Sequence, residues 1–71
     1  MARTFEILIP IINEMIDEDP ILSFRYQMYK DYEFKSSDEA ALSIFTYYIE
    51  TDTFRLRDYI SRCKQYQEQP S

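Results

Sequence analysis

The sequence predicts an all-α domain, a single bundle of three to four helices spanning 1–71, with dimerisation as the step that completes it. Three observations lead there. Apolar residues recur at spacings of three and four through most of the chain. Helix-start signals stand at the joints between those stretches. Glycine is absent altogether, so left-handed caps and tight turns lose their usual residue and helix ends must rely on signals from the N-terminal side.

In the first segment Phe5, Leu8, Ile12, Met15 and Ile16 fit one helical face, but Pro10 removes a backbone hydrogen bond and crowds the preceding turn. The helix is therefore either kinked or begins near Pro10, and in the second case residues 4–9 can be extended, because Phe5, Ile7 and Ile9 also alternate. Asp19-Pro20 places a cap acceptor before a proline at the first helical position, which starts a helix over 20 to about 34. Its stripe is Ile21, Phe24, Met28 and Tyr32, widened by Leu22, Tyr26 and Tyr29. Ser36 with Glu39 forms a reciprocal capping box for a helix from Ser37 to about Glu50. That segment is apolar on nearly every side, so it belongs at the centre of a bundle or across an oligomer interface. Thr51-Asp52-Thr53 supplies the next break. Leu56, Tyr59, Ile60, Cys63 and Tyr66 then mark a last helix to about Gln67, with 1–3 and 68–71 frayed.

A chain this short buries only about 60% of the surface that its unfolded form exposes. Seven tyrosines and five phenylalanines offer more ring area than so small a core can hide, which points to self-association or a bound partner. One cysteine, Cys63, forms no disulfide framework and suits a reducing compartment. The apolar run Ile7–Ile12, interrupted by Pro10, is far shorter than the roughly 20 residues of a membrane span. The amino-terminal segment also makes a poor secretory signal. A cytoplasmic protein that does not enter a membrane is the expectation.

Histidine is also absent, which removes the usual base of hydrolytic triads and the commonest nitrogen ligand of metals. Phosphate loops built on glycine are excluded in the same way. No cofactor, no metal and no enzymatic activity are expected. The net charge of −5 argues against broad binding to a phosphate backbone. It is unevenly spread: the first 52 residues are acidic, whereas Arg55, Arg57, Arg62 and Lys64 outweigh Asp58 and Glu68 in the last segment.

Four features are candidates for function. Glu14, Asp17 and Glu18 share a helical face next to Asp19, reading first as a solvated acidic surface and second as a site for a basic partner or an imitation of phosphates. Cys63 lies on an apolar stripe between Arg62 and Lys64, where it reads as a packed thiol. Arg25 falls in the middle of the Ile21–Tyr32 stripe, beside Tyr29, and must snorkel, stack on a ring or pair with Asp58, Glu50 or the acidic cluster. The outward side of the last helix gathers Phe54, Arg55, Arg57, Arg62 and Lys64, a basic strip headed by an aromatic ring.

Phe5-Glu6-Ile7-Leu8-Ile9-Pro10, a following helix, and Ser36-Ser37-Asp38-Glu39-Ala40-Ala41-Leu42 loosely resemble the strand, helix and capped helix of the ribbon-helix-helix family. That resemblance implies a dimer paired through its strands and bound to DNA. The sequence departs from the pattern in its long span before the capped helix, its extra last helix, and a strand without polar or basic residues to read bases. The expected function is therefore a protein-binding module, a regulator, adaptor or inhibitor that also forms a homodimer. Nucleic-acid binding is the alternative.

Overall fold

A computed structural model of the chain describes residues 7–68. Four α-helices make up the fold: α1 (Ile9–Glu18), α2 (Pro20–Tyr32), α3 (Ser37–Ile44) and α4 (Thr53–Glu68), with a π-helical turn over Phe45–Ile49 prolonging α3. There is no strand among the described residues. The bundle that the sequence predicts is thus present.

Each joint follows its local chemistry. Pro10 sits in the first turn of α1, where an N–H has no helical partner to lose, so the helix starts at Ile9 rather than kinking. Leu8 before it is extended. Residues 7–9 therefore form no strand edge, and residues 4–6 of the expected extended segment lie outside the described residues. The Asp19 carboxylate accepts from the Ile21 N–H at 3.0 Å and caps α2. Ser36 and Glu39 form the reciprocal box, with the Glu39 N–H donating to Ser36 Oγ at 3.2 Å and the Ser36 N–H to Glu39 Oε1 at 3.0 Å. Asp52 caps α4, accepting from Phe54 and Arg55 N–H groups at 2.9 and 3.2 Å. The fourth helix continues one residue past the expected end, through Glu68; the fraying expected at 1–3 and 69–71 lies outside the described residues.

The core consists of Ile11, Ile12, Met15 and Ile16 from α1, Leu22 from α2, Ala41, Ile44, Phe45 and Ile49 from α3 and the π turn, and Tyr59 from α4. No polar or charged residue is buried among the described residues. Tyr59 is fully buried; its ring meets Phe45 edge-on at a centroid distance of 4.9 Å, and its hydroxyl accepts the Leu8 N–H at 2.9 Å. That bond fastens the entry to α1 onto α4.

Two sequence expectations need correction. The spacing predicts that the stripe Ile21, Phe24, Met28 and Tyr32 faces the core, but α2 turns Leu22 inward, with Tyr26 and Tyr29 half-buried beside it. Ile21, Phe24 and Tyr32 are exposed. A helix apolar over so wide an arc offers two adjacent lines for packing, and α1 and α3 occupy only one side of it. The segment 37–50 is not one α-helix either. At about 100° per residue Ile49 would point roughly 110° away from the face made by Ala40, Ala41, Ile44 and Phe45. The wide turn closes with a Glu50 N–H to Phe45 carbonyl bond of 2.8 Å, uses less rotation per residue, and returns Ile49 to the core. The segment supplies more buried side chains than any helix, as its expected central place requires, yet Leu42 and Tyr47 remain exposed.

Candidate interaction surface

Turning Leu22 inward leaves an apolar row on the outer side of α2. Phe24 is 61% exposed and Tyr32 74% exposed, with Ile21 and Met28 in the same row. Arg25 stands midway along it, at the edge that faces Tyr29 and the π turn. Its guanidinium lies 5.9 Å from the ring centroid of Phe24 and 5.9 Å from that of Tyr48 on the π turn, so it spans two aromatic faces. Of the routes open to it in the sequence, stacking is the one realised: Arg25 makes no ion pair among the described residues, and Asp58 is engaged elsewhere.

The π turn widens this surface. Tyr47 is 64% exposed, and Tyr48 is half-buried beside Arg25. Burial pushes the Tyr29 phenol above its ordinary range, and the nearby Tyr48, Glu33 and Tyr47 add to that effect. Three phenols from α2 and the π turn therefore stand close together next to a stacked guanidinium. Arginine, tyrosine, phenylalanine and methionine are the residue types enriched where proteins meet. The sequence singled out Arg25 and Tyr29; Tyr47 and Tyr48 were missed because the 37–50 segment is apolar on nearly every side, so its pattern marks no one face as outward.

The acidic cluster and the basic strip prove to be largely each other's partners. Arg62 reaches from α4 to α1, where Nη2 lies 2.6 Å and Nη1 3.3 Å from the two carboxylate oxygens of Glu18, and Nη1 3.2 Å from Glu14. Its Nε donates to Asp58 at 2.9 Å. Arg55 Nε binds Asp19 Oδ2 at 3.0 Å, and its Nη1 is 3.3 Å from Asp52. This corrects the outward basic strip: Arg55 and Arg62 lean over the seams of α4 with α1 and α2. Arg57 and Lys64 are exposed with no ion pair among the described residues, and Phe54 is 82% exposed. Glu14 and Glu18 are likewise not simply solvated; Asp17 is the member of the cluster left exposed without an ion pair among the described residues.

The charges respond accordingly. Hydrogen bonding to Arg62, and then its charge, hold Glu18 below the usual carboxylate range. For Asp19 burial is the largest single influence and pushes upward, but the Arg55 hydrogen bond, the Ile21 and Leu22 amides and the Arg55 charge together win and lower it. The bonds to Glu18 and Asp58 raise Arg62 further above its already high range.

A cavity of about 280 Å³ beside this clamp is lined by Ile11, Glu14, Asp58, Ser61, Arg62, Gln65 and Tyr66. Its charged groups are already paired with one another. No group of three or more histidine, cysteine or carboxylate side chains able to hold a metal occurs among the described residues, and no helix among them is long and apolar enough to cross a membrane. Cys63 is half-buried against the core, as its place on the stripe of α4 suggests.

No protein-family model, curated protein or solved structure matches this chain.

Proposed function

We propose that this chain is a cytoplasmic, non-enzymatic protein-binding module, a regulator, adaptor or inhibitor that meets a larger protein through the outer face of α2 and the π turn. The observation that carries the reading is Arg25, 5.9 Å from the ring centroids of both Phe24 and Tyr48, at the edge of an exposed apolar row. Exposed rings in a contiguous row cost solubility when left in water and supply most of the energy when a partner covers them. The absence of histidine and the engagement of the acidic cluster by Arg62 support a role without catalysis.

Homodimerisation through the same face is the second reading, favoured by the number of large apolar side chains exposed on so small a chain. Nucleic-acid binding has less support, since two of the four cations of the α4 strip are turned into the fold. The test uses Phe24→Asp, a substitution at an exposed position. We expect it to leave the helical circular dichroism and melting temperature nearly unchanged, and to weaken capture of the native partner, identified by affinity purification from the source cells, at least about tenfold. Equal capture by the wild type and the variant would place the contact on another face.

A further inference from the structure

Resting on the reading of the α2 face as a protein contact, the structure assigns an occupant to it: we propose an amphipathic helix from another protein, carrying a carboxylate among its apolar residues and setting that carboxylate on Arg25.

Arg55 and Arg62 each hold carboxylates within 3.3 Å. Arg25 has none among the described residues, although it stands at the edge of an apolar row. Its guanidinium carbon lies 5.9 Å from the centroids of two rings, and its N–H groups, which suit a planar acceptor, meet no carboxylate among the described residues. A carboxylate fits those groups with two parallel bonds, and covering the surrounding rings would exclude water and strengthen them. An arginine held in place beforehand also loses less side-chain freedom on binding.

Shape points to a helix. Ile21, Phe24, Met28 and Tyr32 follow one another at spacings of three, four and four, the ridge that a second helix packs along. An extended peptide has no sheet edge to join among the described residues.

A second copy fits the charge less well. A two-fold axis through the middle of the row sets the two Arg25 positions only about 5 Å apart along the helix axes. Two cations then meet in a drying apolar patch, where like charges are costly. The net charge of −5 on each copy adds repulsion.

The probe is a displayed library of random helix-forming peptides, selected on the immobilised full-length chain. The expected peptides share an aspartate or glutamate with apolar residues three and four positions away, and lose about tenfold or more in affinity on Arg25→Gln. Exchanging that carboxylate for lysine should abolish binding to the wild type and restore it to Arg25→Glu. Peptides that depend on Phe24 but lack the carboxylate, or are indifferent to Arg25→Gln, overturn this inference and leave the contact face standing. If no selected peptide is sensitive to either Phe24→Asp or Tyr32→Asp, the face itself is wrong. A concentration-dependent dimer in sedimentation that Phe24→Asp disperses gives the face to a second copy and also overturns the carboxylate helix.

Discussion

Tyr59 shows how much one side chain contributes to so small a core. Its ring fills the space between α1 and the π turn, and its hydroxyl satisfies the Leu8 N–H at the start of α1. Burial pushes its phenol above the ordinary range, the Cys63 thiol adds to this, and the Leu8 N–H pulls the other way. Replacing Tyr59 with Phe keeps the packing and leaves the Leu8 N–H without its acceptor, so we expect a loss of about 1 kcal/mol in urea unfolding. An unchanged midpoint would mean that water replaces the hydroxyl. The arginines make the complementary point: Arg25, Arg55 and Arg62 share one chemistry, yet two serve as clamps and one is stacked in the open. Only the carboxylates within reach distinguish them.

At the scale of elements, the missing glycine has a visible consequence at the end of α2. The chain leaves that helix through Phe34 with φ of 54°, the left-handed region in which glycine is favoured. The Lys35 N–H returns to the Tyr29 carbonyl at 3.2 Å. A side chain in that conformation costs roughly 1–2 kcal/mol, and Phe34, 87% exposed, recovers little by packing. Phe34→Gly should therefore stabilise the fold by about 1 kcal/mol after the entropy of the unfolded chain is counted, raising the thermal midpoint by roughly 5 °C. A lower midpoint would show that the ring packs more in solution than its exposure indicates. The π turn is the other local departure from regular geometry. It puts Ile49 in the core and carries Tyr48, which stands beside Arg25, so the element that completes the core also shapes the candidate surface.

Across the whole molecule, carboxylate–arginine bonds tie α4 to α1 and to the Asp19 joint, which makes the fold sensitive to acid. Glu18, Asp19 and Glu39 all titrate below their ordinary values when folded. For Glu39 the Ser36 backbone bond is the main cause. Groups with lowered values stabilise the fold above their unfolded values of about 4, and that contribution is lost as pH falls through the folded ones. We expect the urea midpoint to be level above about pH 5 and to fall steadily towards pH 2. In Arg62→Gln the fall should be shallower, since Glu18 then titrates nearly as it does unfolded. An identical slope in both proteins would assign the acid sensitivity to other carboxylates.

The helical class and the joints are legible in the sequence alone. Those depend on neighbours a few residues apart, where Asp19-Pro20, Ser36 with Glu39, and Asp52 act through bonds that close within one turn. The sequence also marks Arg25 and Tyr29, because a charge inside an apolar stripe is visible from spacing alone. Which line of α2 is buried depends on the packed fold, since both lines are apolar and the placing of α1 and α3 chooses between them. Packing likewise brings Arg62 to Glu14 and Glu18, residues more than forty positions away, a pairing that no local pattern encodes. The outer face of α2 is what remains when that choice is made: burying Leu22 is what brings Phe24, Arg25 and Tyr32 to the surface.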